Sequence, residues 1–175
     1  MIAIRVLGVV LTLAASTALG LYLSSLAKFR QQDLLEFKKA LLILKSEIEY
    51  IAAPLPDAIS SIASRTTNPV SKIFTHYAQN LKNNDDGETA YQLWIEAIQS
   101  HKKESFLKKD DWEIVEGFGK TLGYLDKQMQ VDSIKFTTDY LDSQVAELQT
   151  EGNKNQRMYR SLGVIGGILL LVVFW

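Results

Sequence analysis

The chain has 175 residues, room for one domain with a core of ordinary size once its apolar ends are set aside. Its 19 basic and 20 acidic residues nearly cancel, so the total charge supports neither a polybasic nucleic-acid face nor an acidic tail, and nucleic acid is not an expected partner. There is no cysteine, which excludes disulfides, thiolate nucleophiles and Cys-ligated metal sites together.

The apolar share of 47% is unevenly spread, with much of it in residues 2–26 and 162–175. That pattern indicates an all-α membrane protein. Between Ile2 and Leu26 only Arg5 is charged. Counted from Val6, about twenty residues at about 1.5 Å each cover a hydrocarbon layer of roughly 30 Å, so residues 1–27 are predicted to form a transmembrane helix. A cleaved signal peptide is the rival reading, with Arg5 as its basic start and Ala15, Ser16, Thr17 and Ala18 as its cleavage region. Leu19, Leu21, Leu23 and Leu26 carry the apolar stretch past the usual extent of such a peptide and favour retention.

Residues 28–157 are predicted as a six-helix, bundle-like domain. Leu34, Phe37, Leu41, Leu44, Ile48 and Ile51 recur at steps of three and four, marking one face of a long helix over residues 28–52 that Pro54 and Pro56 stop. Pro56 opens a short second helix with Ile59, Ile62 and Ala63 inside. Asn68 before Pro69 reads as an N-cap for a third helix striped by Val70, Ile73, Phe74, Tyr77 and Leu81. After a turn at 83–87, Leu93, Trp94, Ala97 and Ile98 line a fourth. In the fifth, Asp110 is expected to cap and Glu113 to reach back, with Val115, Phe118 and Leu122 behind and Gly123 at the end. The sixth starts near Asp126, and Val131, Ile134, Thr138, Leu141, Val145 and Leu148 form a coiled-coil-like seam. Either it runs into the second apolar run as one rod, or it breaks at a joint over 151–155.

The second apolar run is barely long enough to span, roughly 25 Å when counted from Tyr159. Residues 158–175 are predicted as a second transmembrane helix, bracketed by Tyr159 and Trp175 and preceded by Arg157 and Arg160; an interfacial or re-entrant segment is the alternative. Gly163, Gly166 and Gly167 here, and Ala14 and Ala18 in the first run, put small residues on one helix face and are candidates for membrane helix packing. Lys28, Arg30, Lys38 and Lys39 follow the first run and Lys154, Arg157 and Arg160 precede the second, which predicts a cytoplasmic middle domain; only Arg5 and the terminal amine argue otherwise.

No catalytic set accompanies these helices. His76 and His101 have no neighbouring ligands at metal spacing and are read as surface or core-edge residues. Phe118-Gly119-Lys120 lacks the spacing and the Ser/Thr of a phosphate loop and is read as a helix contact. Asp85 with Asp86, and Asp110 with Asp111, suit a turn and a helix start. Glu47 and Glu49 flank Ile48 and read as a solvated face or as acids for partner docking. No enzyme activity, cofactor or metal is expected.

Several stretches taken in order resemble the stage III sporulation protein AB family of endospore-forming bacteria. They are Glu47-Ile48-x-Tyr50-x-x-x-Pro54-Leu55, Asn68-Pro69-Val70, Trp94, Phe118-Gly119-x-Thr121-Leu122-Gly123-x-x-Asp126 and Tyr159-x-Ser161-Leu162-Gly163. The resemblance implies a non-enzymatic component of the channel-like complex between mother cell and forespore, in the mother-cell membrane around the forespore. It also implies a fold similar to the cytoplasmic helical domains of type II secretion inner-membrane platform proteins, and hence docking of a hexameric secretion-type ATPase and of other channel subunits. Those platform proteins carry the domain twice, whereas this chain has one copy and no internal repeat, so a platform built from it would need several copies or partners. A membrane tether acting through the seam of the last helix is the competing expectation, and a membrane enzyme a third.

Overall fold

The computed structural model describes residues 2–51, 53–84, 87–123 and 126–174, with side chains placed between Ser25 and Gly152 and at Gly8, Ala18 and Tyr22. Every regular element among them is helical: α1 (Ile2–Ser46), α2 (Leu55–Arg65), α3 (Val70–Lys82), α4 (Ala90–His101), α5 (Lys109–Phe118) and α6 (Lys127–Phe174). A π-helical segment, Glu47–Ile51, extends α1, and 3-10 turns lie at Lys102–Glu104 and Gly119–Thr121. The all-α class agrees with the sequence.

The inner half of α1 is helical because its apolar residues fall on one face. Leu34, Phe37, Leu41 and Leu44 are buried in a single core with Ile59, Ile62, Ile73, Phe74, Trp94, Ile98 and Trp112. Antiparallel to α1 runs α6, whose Ile134, Thr138, Leu141 and Val145 are buried, with Leu148 packed at the margin. The coiled-coil-like seam is therefore occupied by the chain's own core, and a tether acting through it has no surface left to use. Gly152 does not break α6, which continues as one helix of 48 residues, about 72 Å long. The predicted spans, residues 1–27 and 158–175, fall in the outer parts of α1 and α6, where nearly all side chains lie outside the described residues. So do the packing candidates Ala14, Gly163, Gly166 and Gly167, while Ala18 is exposed. Among the described residues no helix is long and apolar enough to cross a membrane.

Four local expectations are corrected. Ile51, placed on the buried stripe, is 62% exposed, because the wider i→i+5 turn of the π segment winds less per residue and rotates it out of line. Asn68 does not cap α3: Pro69 takes the cap position without a side-chain bond, and the Thr67 carbonyl accepts the Ser71 N–H. At α5 the frame moves by two residues, with Lys108 at the cap position and Asp111 third in the helix start. Asp110 is exposed, and the Asp111 carboxylate accepts the Lys108 N–H at 2.8 Å, while Glu113 pairs with Lys109. Gly123 does not end that helix either; α5 stops at Phe118, and Gly123, at φ 88°, closes the 3-10 turn that follows. The turn expected at Asp85 and Asp86 lies outside the described residues. Helix α4 carries a capping box the sequence reading missed, in which Thr89 Oγ1 accepts the Gln92 N–H and Gln92 Oε1 accepts the Thr89 N–H.

Candidate functional site

Arg30 stands on α1 a turn beyond the first apolar run, and it is buried. Its Nε donates to Asp111 Oδ2 at 2.8 Å and its Nη2 to Asp111 Oδ1 at 2.9 Å, a two-pronged pair with side-chain exposures of 7% and 0%. Nη2 also donates to Gln144 Oε1 at 2.7 Å, and the Tyr140 hydroxyl lies 3.5 Å from Asp111 Oδ1. The bond to Asp111 raises the Arg30 pKa further, so the guanidinium stays charged despite burial. One turn on, the Asp33 carboxylate accepts from the Ser105 hydroxyl and the Phe106 N–H, while burial pushes its pKa up. This clamp ties α1, α5, α6 and the 102–108 loop together at the end of the head where both long helices leave. In the sequence Arg30 stands out only as one of the basic residues that set orientation. Nothing local marks Asp111, 81 positions away, as its partner.

The chemistry-bearing residues stay scattered. His76 and His101 meet edge to face at 5.5 Å, and His101 Nδ1 lies 3.1 Å from Glu104, whose carboxyl is held below its ordinary range by Lys72 and then His101. No group of three or more His, Cys, Asp or Glu among the described residues is arranged to hold a metal. A cleft of about 370 Å3 between α2 and α3 is lined by Ser60, Ser64, Thr75, Gln79 and Lys82, which supply one cation and no acid to pair with it. Gly119 is a helix contact, as read: a Cβ there would overlap the Trp94 ring, whose Nε1–H donates to the Val115 carbonyl at 3.0 Å.

The other end of the head is different in character. Glu47 is buried with its carboxylate bonded by the Ser61 hydroxyl at 2.7 Å, so it belongs to no solvated face. Glu49 is half-buried, and its backbone carbonyl accepts from Lys127 Nζ at 2.7 Å. What the π segment presents instead is Tyr50, 81% exposed, and Ile51, with Met129 exposed on the adjoining start of α6. Rare π turns recur at functional sites because they re-aim side chains in this way. The sequence signal that could have found this surface is an aromatic and an aliphatic residue just before a double-proline stop.

Fold and surface together define a small helical head carried on two long antiparallel helices, clamped at one end and apolar at the opposite tip. The chain belongs to the stage III sporulation protein AB family, whose pattern it matches over residues 5–175. It is 30% identical over 171 residues to stage III sporulation protein AB of Bacillus subtilis (strain 168), covering 97% of this chain and 98% of that protein. A solved structure of stage III sporulation protein AB superposes with a TM-score of 0.65 at 27% identity, covering 71% of this chain and 97% of that one.

Proposed function

We propose that this sporulation protein is a non-enzymatic membrane platform: residues 1–27 and 158–175 anchor it, and residues 28–157 form a cytoplasmic docking head within a secretion-like channel complex between mother cell and forespore. The observation that carries the reading is the polarity of the molecule. Helices α1 and α6 carry the two apolar runs of the sequence away from the same end of the head, while Tyr50 and Ile51 stand exposed at the opposite tip. A docking surface belongs at that tip, where it is farthest from the bilayer and open to a large soluble partner; a hexameric secretion-type ATPase fits the place. The docking role considered for Glu47 and Glu49 passes to these apolar neighbours, because a carboxylate already bonded inside the protein has little to offer a partner.

Co-purification of the full chain from mild detergent with the sporulation ATPase tests the reading, alongside a Tyr50→Asp/Ile51→Asp variant. The expected result is retention of the ATPase by the natural chain and loss of most of it by the variant at unchanged helicity. Equal retention by both would move the docking surface elsewhere, and no retention by either would remove the platform reading.

A further inference from the structure

The apolar stripe of α1 is written at α-helical spacing beyond the point where the structure keeps to it. Leu41, Leu44, Ile48 and Ile51 follow one another at steps of three, four and three, so an α-helix carried through to residue 51 lines all four up on the buried face. Leu41 and Leu44 are buried there and Ile48 packs at the margin of the core, but Ile51 is 62% exposed. A π turn holds one residue more than an α turn, so side chains after it lag by about 100°, the angle of one residue. That lag carries Ile51 off the stripe. Tyr50, one step earlier, lies off the stripe in either winding and is exposed.

The backbone shows what holds the wider turn. In an α-helix the Glu49 carbonyl accepts from the N–H of residue 53, and in a π turn from that of residue 54. Residue 54 is a proline and has no N–H to give. In the structure this carbonyl accepts from Lys127 Nζ at 2.7 Å, the side chain of the first residue of α6. The second bond to the segment, from the Ser61 hydroxyl to the Glu47 carboxylate, does not discriminate. Glu47 lies seven residues beyond buried Ala40, on the inner face in α winding as well. Lys127 alone makes good a deficit that only the π winding has.

We infer that the tip of the head has two windings and that Lys127 is the latch between them. With Lys127 on the Glu49 carbonyl, the segment is π-helical and Ile51 stands out beside Tyr50. With the latch released, the segment rewinds as α-helix, the Ala53 N–H serves the Glu49 carbonyl, and Ile51 turns in beside Leu44 and Ile48. Only the π winding presents the aliphatic half of the Tyr50 and Ile51 pair, so the latch regulates the docking surface. That regulatory role rests on the docking reading above; the two windings do not.

The chain has no cysteine, so a single introduced thiol reports the winding. Full-length Ile51→Cys and Tyr50→Cys proteins in mild detergent are timed against a maleimide, each with Lys127 intact and with Lys127→Met. Losing a hydrogen bond from a charged group shifts such an equilibrium by about tenfold or more, so Lys127→Met is expected to slow the thiol at 51 by about tenfold and leave that at 50 unchanged. Deleting Glu49 removes the surplus residue. Position 51 then falls six residues after Leu44 instead of seven and points outward in plain α winding, so Lys127→Met should no longer slow it. An unchanged or faster rate at 51 in Lys127→Met, equal slowing at 50 and 51, or slowing that persists in the Glu49 deletion would each overturn the latch. Retention of the sporulation ATPase by Lys127→Met, with Tyr50 and Ile51 natural, separates the two readings. Slowing at 51 with retention undiminished keeps the two windings and takes docking away from Ile51; lowered retention without slowing does the reverse.

Discussion

Asp111 joins two jobs that the sequence shows only one of. As the third residue of a helix start it accepts a backbone N–H, and as a buried anion it neutralises Arg30. Asp111→Asn keeps the shape but leaves the guanidinium buried without a counter-charge, and is expected to cost about 3–5 kcal/mol in urea denaturation, with Arg30→Met/Asp111→Leu recovering most of the loss. Gly119→Ala pushes a methyl into the Trp94 ring. Overpacking of that kind costs about 1–3 kcal/mol, and a lowered thermal midpoint with altered tryptophan near-UV signal would record it. Asp33 supplies the pH dependence. Burial raises its pKa above that of the unfolded chain, so its favourable contribution is complete below the ordinary aspartate value and disappears as pH rises through the raised one. Natural protein should therefore gain stability relative to Asp33→Asn as the pH falls through that window; a difference independent of pH would contradict the assignment.

At the scale of elements, helix positions were legible because burial at steps of three and four is a local property of the chain. Leu93, Trp94, Ala97 and Ile98 on α4, and Ile73, Phe74 and Tyr77 on α3, are buried as the periodicity predicts. Ends were less legible. A cap depends on one dihedral and one hydrogen bond, and Asn68 and Asp110 are favourable cap types one and two residues away from Pro69 and Lys108, which hold the cap positions. The Thr89 and Gln92 box gives a check at this scale: Thr89→Ala should lower stability by about 1 kcal/mol and speed amide exchange in the first turn of α4 before the rest. The π segment was invisible for a related reason. It is held by long-range bonds, from Ser61 to the Glu47 carboxylate and from Lys127 to the Glu49 carbonyl, that leave no mark in hydropathy.

For the whole molecule, orientation is the open and testable quantity. Asp57 is exposed in the first turn of α2, on a chain without cysteine. Asp57→Cys is expected to react with an impermeant maleimide only after the membrane is opened, as a cytoplasmic head requires; labelling of intact cells would place the head on the other side. Sequence alone determined the all-α class of fold and the identity of most core residues, because helical periodicity and chain punctuation are written locally. The family followed from the order of short motifs. Only the tertiary structure decided that the last helix's seam is filled by α1, that Arg30 and Asp111 are buried together, and that Tyr50 and Ile51 rather than Glu47 face outward. Those outcomes depend on which surfaces remain once the helices have packed, a property of the assembled core that no single stretch of chain contains.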